Sequence, residues 1–350
     1  MRRTVTHIIE TMTPEPGGLA CTLVGLFEFQ KRKGWGVEVV SRENIEQAET
    51  AVAAADLTHV HGTDGTVIRQ LWPTLKMTHK RYVVSTYASK MPRPHRSSPV
   101  QRVKERLASL GYRGKVLRKA WCLHALTESE ANQLKRGWGI QRVKVLPMGV
   151  DTRAAEPEQD VEAAAVCPGQ RMVLYLGPLH PGEGLVPFLK AAALVADKFE
   201  DLRLVLAGAE QPRWTDMIRA AVRRQGFEDR VTLLPSPGPE QMGQLLREMI
   251  LLVAPVPGEG CPVAPLQALA CGKPVIVSPG CNLPEVELGK AGWIVKPRRR
   301  ELQSVLHEAF SRAPADLEEM GRRGLRIIEE RYTWDRIGHE YLNLYARILG

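Results

Sequence analysis

The feature that most constrains this chain is an alternation, run through twice, of short β-branched stretches with longer helical ones. Apolar runs at residues 5–9, 37–41, 58–61, 82–86, 123–127 and 144–147 are each followed by an amphipathic or Gly-terminated segment. Runs of this length, rich in Val, Ile and Leu, are how strands buried on both faces appear in a sequence. Strands separated by helices imply a parallel sheet covered by helices. Residues 153–170, RAAEPEQDVEAAAVCPGQ, have the Ala, Glu and Pro content of a linker. The pattern then restarts, with runs at 172–176, 202–207, 231–234, 251–254, 274–277 and 293–295. The expected fold is α/β, with two Rossmann-like domains whose parallel sheets face a central cleft. The domains are 1–152 and 171–332, joined by the linker, and a C-terminal helix over 333–350 packs back on the first.

The 350 residues suffice for two cores, and 44% hydrophobic with 25% charged residues is a globular composition. Glu10 interrupts the apolar run that a secretory signal would need, and no uncharged apolar stretch approaches the ~18 residues of a membrane span. A cytoplasmic protein is expected, at most peripheral at the inner membrane face. Six scattered cysteines, without a C-x-x-C pair or companion His spacing, read as reduced thiols, and no metal site or cofactor is expected.

Charge is uneven. Residues 1–150 hold 24 Lys+Arg against 12 Asp+Glu, whereas the remainder is slightly acidic. Such asymmetry points to an anionic partner. The excess concentrates at 90–119, with ten Lys+Arg and one acid, Glu105. Val100, Val103, Leu107 and Leu110 recur there at helical spacing, so Arg102, Lys104 and Arg106 fall on another face. That amphipathic basic helix either rests on an anionic membrane surface or packs on the sheet with a wet basic side. Cations without interleaved aromatics argue against nucleic acid.

In open α/β sheets ligands sit beyond the carboxyl ends of the strands. The loops to search are therefore 16–18, 177–184 and 258–263. None spells G-x-G-x-x-G followed by an acid about twenty positions on, so a dinucleotide dehydrogenase is poorly supported, and a Walker loop is absent.

The ordered motifs resemble those of the family-4 glycosyltransferases over almost the whole chain. They are Gly17-Gly18, Asp56-x-x-His59-Val60-His61-Gly62, His124-Ala125-Leu126-Thr127-Glu128-Ser129-Glu130 and Pro147-Met148-Gly149-Val150-Asp151, then Tyr175-Leu176-Gly177, Glu259-Gly260-Cys261-Pro262 and the block Ala268-Leu269-Ala270-Cys271-Gly272-Lys273-Pro274. The resemblance implies a GT-B architecture and retaining transfer of a sugar from a nucleotide-sugar donor to a glycan or lipid-linked acceptor. It assigns donor binding to Gly17, Gly18, Glu259, Gly260, Cys261, Val263 and Gln267. Glu259 takes the donor-sugar hydroxyls and Gln267 stands where an acid meets the ribose hydroxyls.

Several positions depart from the family pattern. The family directs an Arg and, five residues on, a Lys at the diphosphate; here those places hold Pro178 and Glu183, and no Lys or Arg occurs between 172 and 189. Tyr87 stands where the family presents a histidine near the transferred sugar, and Met148 replaces an Asn. His61, Tyr87 and His180 are candidate sugar or phosphate contacts, whereas His59 and His124, inside apolar runs, are expected to be strand packing. No catalytic residue is assigned. Two readings stay open: an active transferase in cell-surface or exopolysaccharide synthesis, and a GT-B scaffold that retains the fold without transfer.

Overall fold

A computed structural model describes residues 2–11, 19–63, 65–87, 111–152, 167, 169–209, 212–235, 237–257 and 263–350. Gly17, Gly18, Arg102, Lys104, Arg106, Glu259, Gly260, Cys261 and most of the 153–170 segment lie outside them.

The described strands form two parallel six-stranded sheets. The first contains β1 (Thr4–Ile8), β2 (Gly36–Val40), β3 (Leu57–His61), β4 (Tyr82–Ser85), β5 (Cys122–Ala125) and β6 (Val143–Val145), in the order β2-β1-β3-β4-β5-β6. The second contains β7 (Arg171–Leu176), β8 (Leu202–Gly208), β9 (Val231–Pro235), β10 (Leu251–Ala254), β11 (Val275–Val277) and β12 (Gly292–Ile294), in the order β12-β11-β10-β7-β8-β9. All twelve apolar runs are strands, with ends within two residues of those expected.

The chain divides into two compact units. One holds 1–13, 23–149 and 334–350; the other holds 14–22 and 150–333. The first unit therefore includes the closing helix Trp334–Leu349. Gly25 and Gly149 make room for Trp334 at its start, since a Cβ on either would fall within 2.5 Å of the indole.

Within each sheet the strand order reverses at one place, between β1 and β3 in the first and between β7 and β10 in the second. Connections leave in opposite directions there and open a crevice at the carboxyl ends of the strands. The second sheet is apolar on both faces. Met172, Leu174, Val205 and Leu252 enter one cluster, and Val173, Leu204, Leu206 and Val253 enter the other. In the first sheet Ile8, Val60, Val84 and Leu123 fill one face.

The opposite face of the first sheet is mixed, with Val5, Leu57 and Val83 buried on it beside polar residues. Side chains alternate along a strand, so His7, His59 with His61, Ser85 and His124 share it. Register brings them into rows, His7 beside His59 and His61 beside Ser85 beside His124.

Candidate functional site

The loop after β7 is built as a tight turn at the second sheet's reversal point. Tyr175 Oη donates to the Pro178 carbonyl at 2.9 Å, and the Gly182 N–H donates to His180 Nδ1 at 2.9 Å. A 3₁₀ turn, Pro181–Glu183, follows and ends at Gly184 with φ +78°. A Cβ at Gly184 would stand 2.0 Å from the Pro255 carbonyl oxygen, so this turn and the start of the loop after β10 touch through main chain. Because Nδ1 accepts, the His180 ring proton resides on Nε2 and remains available to donate. The His180 ring lies 4.5 Å from Trp214, and the Arg213 guanidinium lies 5.2 Å from the centre of the same indole. Pro178 is exposed and Glu183 half-buried, so neither brings positive charge.

After β10 and the 258–262 segment comes the helix Val263–Ala270. Val263, its first residue, is half-buried. On the same helix Gln267 Oε1 is buried with no hydrogen-bond partner among the described residues. A buried amide oxygen left unsatisfied costs about 1–3 kcal/mol, which a hydroxyl donor from a ligand would recover. The free described cysteines include Cys271 and Cys281, each with its thiol pushed up by burial.

In the first unit the structure brings together residues that sequence reasoning kept apart. His7, His59, His61 and His124 are hydrogen-bonded into one buried path with Gln30, Ser85, Tyr87 and Tyr345. His61 Nδ1 lies 2.5 Å from Tyr87 Oη and His61 Nε2 lies 2.8 Å from His7 Nδ1. His7 Nε2 meets Gln30 Oε1 at 2.8 Å, and Gln30 Nε2 donates to Tyr345 Oη at 3.5 Å. Tyr345 Oη lies 2.5 Å from His59 Nδ1, and His59 Nε2 lies 2.6 Å from Ser85 Oγ. Ser85 Oγ lies 2.6 Å from His124 Nδ1, and His124 Nε2 donates to the Leu146 carbonyl at 2.8 Å, sharing that proton with Tyr341 Oη at 3.2 Å.

Both nitrogens of His61 are thus used inside the protein. His59 and His124 are buried as expected, but as hydrogen-bonded members of a polar path rather than as apolar packing. Burial holds His7 and His124 at about 4 and drives His59 and His61 well below 6.5, so all four are neutral at pH 7. Burial raises the Tyr87 phenol, the neighbouring Glu130 charge adds to this, and Ser85 acts in the opposite direction. Tyr87 is a non-glycine residue at φ +51°, a left-handed conformation that costs about 1–2 kcal/mol.

His7, His59 and His61 offer ring nitrogens within 4.8 Å of one another, a donor set of the type zinc takes. Each of those nitrogens already has a hydrogen-bond partner, and none of those partners is a carboxylate. The cluster fits a hydrogen-bonded path better than a cation site. His7, Gln30, Tyr341 and Tyr345 were not singled out from the sequence. The available signal was period two, a His or Ser recurring on one face of strands that are otherwise apolar.

Met148 is buried in the first unit. At the start of the helix Glu128–Trp138, Thr127 Oγ1 accepts from the Glu130 N–H at 3.1 Å, and Glu130 Oε2 accepts from the Leu126 N–H at 2.8 Å. The carboxylate thereby fixes the end of β5. No described helix is long and apolar enough to cross a membrane.

Comparison with known proteins agrees with this architecture. Residues 170–311 match the family Glycosyl transferases group 1. D-inositol 3-phosphate glycosyltransferase of Segniliparus rotundus is 26% identical over 260 residues, covering 71% of this chain and 57% of the relative. The GDP-mannose:cellobiosyl-diphosphopolyprenol alpha-mannosyltransferase of Xanthomonas campestris is 25% identical over 310 residues, covering 86% of this chain and 76% of that one. The chain thus spans little more than half the length of some curated relatives it matches. Among solved structures, sucrose-phosphate synthase from Thermosynechococcus elongatus superposes with a TM-score of 0.78 at 17% identity over 99% of both chains. Anabaena HepE with UDP-glucose superposes at 0.80 and 14% identity, over 98% of this chain and 99% of that one. The fold is GT-B, and residues 170–311 of this chain are similar to the Glycosyl transferases group 1 family.

Proposed function

We propose that this protein transfers a sugar, with retention of anomeric configuration, from a nucleotide-sugar donor to a glycan or lipid-linked acceptor in cell-surface or exopolysaccharide synthesis. The observation that carries the reading is the orphaned Gln267 Oε1. It is a buried acceptor at the reversal point of the group 1 domain, in the place the family resemblance gives to a ribose contact. In this reading Glu259, the 258–263 segment, Gly17 and Gly18 serve donor binding, as the resemblance assigns. The mannosyltransferase relative uses GDP-mannose by its own description, and HepE was solved with UDP-glucose.

Transfer breaks the bond between the anomeric carbon and the diphosphate oxygen and leaves negative charge on the departing phosphates. Fixed donors aimed at that charge supply much of the catalysis in such reactions. With Pro178 and Glu183 in place of cations, Arg213 and the Nε2–H of His180, both held against Trp214, take that role. The exposed Lys115, Arg118 and Lys119, on a helix whose Val116 and Leu117 are buried, continue the basic segment toward an anionic acceptor surface.

Calorimetric titration with UDP, GDP, ADP and their sugars tests this. At least one should bind the native chain, and Gln267→Ala and Arg213→Ala should each weaken it roughly 10-fold, the value of one such hydrogen bond or ion contact. Absence of binding and of transfer would establish the scaffold reading instead. If only Pro178→Arg with Glu183→Lys binds, the missing cations explain the defect.

A further inference from the structure

An edge strand leaves half of its main-chain groups without a neighbour, and proteins usually blunt such edges by shortness or proline. The edge strands β6 and β12 have three residues each, and β9 ends in Pro235. β2 differs: it stands at the edge of the first sheet with five residues and no proline.

Register says which of its groups are open. The Gly36 N–H donates to the Arg3 carbonyl and the Val40 carbonyl accepts from the Ile9 N–H, so the even-numbered residues of β2 face β1. Alternation turns the N–H and C=O of Val37 and Val39 outward. The Val39 carbonyl accepts from Asn44 Nδ2 at 2.8 Å. The Val37 N–H, the Val37 carbonyl and the Val39 N–H have no hydrogen-bond partner among the described residues. A parallel strand uses just these three groups. One of its carbonyls accepts from Val37, and the residue two places on donates to Val37 and accepts from Val39. An antiparallel strand would instead aim an N–H at the Val39 carbonyl, where Asn44 already donates.

Beside this edge is a groove of about 490 Å³, in which buried Val40 and Ala51 lie with exposed Glu38 and Glu46. Neither carboxylate has an ion-pair or hydrogen-bond partner among the described residues. Residues 1–150 carry twice as many bases as acids, yet 36–56 hold five acids against Arg42 alone. The edge thus inverts the sign of the unit that carries it. A second copy paired through its own β2 would bring two acidic rims together, and like charges facing across a ladder destabilise it. A polyamine would meet the carboxylates but has no carbonyl for the Val37 and Val39 N–H groups.

We propose that the free edge of β2 takes up an extended segment of a partner protein as a seventh, parallel strand, with Lys or Arg at alternate positions set against Glu38 and Glu46. Main-chain pairing supplies the hold and the groove supplies the selection, as in other strand additions. The surface serves assembly and is independent of the transferase reading.

The test uses the full 15N-labelled chain and two synthetic peptides, Ac-Thr-Lys-Val-Lys-Val-Thr-NH2 and its counterpart with Glu for Lys. The Lys peptide should bind with a Kd of ~1 mM or tighter. On binding, the Val37 and Val39 amides should become protected from hydrogen exchange, and spermine should not protect them. Glu38→Lys with Glu46→Lys should weaken the Lys peptide at least ~10-fold and create binding of the Glu peptide. Val37→Pro, a change an edge strand tolerates at an outward N–H, should weaken it roughly 10-fold. Thermal midpoints close to that of the native chain confirm that both variants fold. Lack of binding by the Lys peptide overturns the proposal and leaves Glu38 as a guard against self-pairing. Binding without protection of the two amides overturns strand addition, and equal binding of both peptides overturns selection by charge.

Discussion

The two sheets share topology class and strand number yet are held by different physics. The second is apolar on both faces, and its stability comes from surface removed from water, which does not depend on proton concentration. The first is apolar on one face, and on the other buried Val5, Leu57 and Val83 share the surface with a hydrogen-bonded path that holds only while four histidines stay neutral. Similar folds can thus place their vulnerability in packing or in protonation. A buried path in which every member is paired gives up little stability, but loss of one link strands its neighbours.

Acid should separate the units most strongly. His7 and His124 titrate near 6.5 when unfolded and at about 4 when folded. The unfolded chain binds more protons between those values, so stability is complete above pH 6.5 and falls as pH drops toward 4, by ~3 kcal/mol for each ring. Segment-resolved hydrogen exchange at pH 7 and 4.5 should show β1, β3 and β5 losing protection while β8 and β10 keep theirs. Simultaneous loss in both sheets would erase the contrast.

A core truncation in the second sheet supplies the converse. Leu204 is fully buried, and Leu204→Ala should destabilise by about 3 kcal/mol through lost burial and the cavity left behind. Denaturant midpoints should shift by the same amount at pH 5 and pH 7. A pH-dependent shift would mean that packing and protonation are not separable here.

Next in size is His59→Leu, which leaves the Tyr345 hydroxyl and Ser85 unpaired and should cost about 2 kcal/mol at pH 7. Leucine cannot take up a proton, so the deficit against the native chain should narrow as pH falls below 6.5. A deficit that widens would contradict the neutral state of His59. Smallest is Thr127→Ala, which removes a helix cap and should cost about 1 kcal/mol. Its effect should be equal at both pH values, since the cap bond joins Thr127 to a backbone N–H and not to a histidine.

The strands were legible because buried parallel strands are written as continuous apolar runs, and even the three-residue β11 and β12 stood out between turn signals. The histidine path was not, because it depends on register. Nothing local to His7 says that it lies beside His59, and Tyr341 and Tyr345, four residues apart in the closing helix, look like any amphipathic stripe. Gln30 belongs to the path only because its amide reaches both His7 and Tyr345. The Gln267 position was legible from motif spacing, but its missing partner shows only in three dimensions. Arg213 escaped notice because it stands thirty residues past the loop whose histidine shares its indole.

The closing helix sets a timetable. Strands β1 to β6 leave the ribosome first, yet Tyr341 and Tyr345 are made only after the whole second unit. During synthesis His59 and Ser85 must therefore wait, unlatched, through more than two hundred and fifty intervening residues of translation, while the second unit has every strand it needs to fold ahead of them.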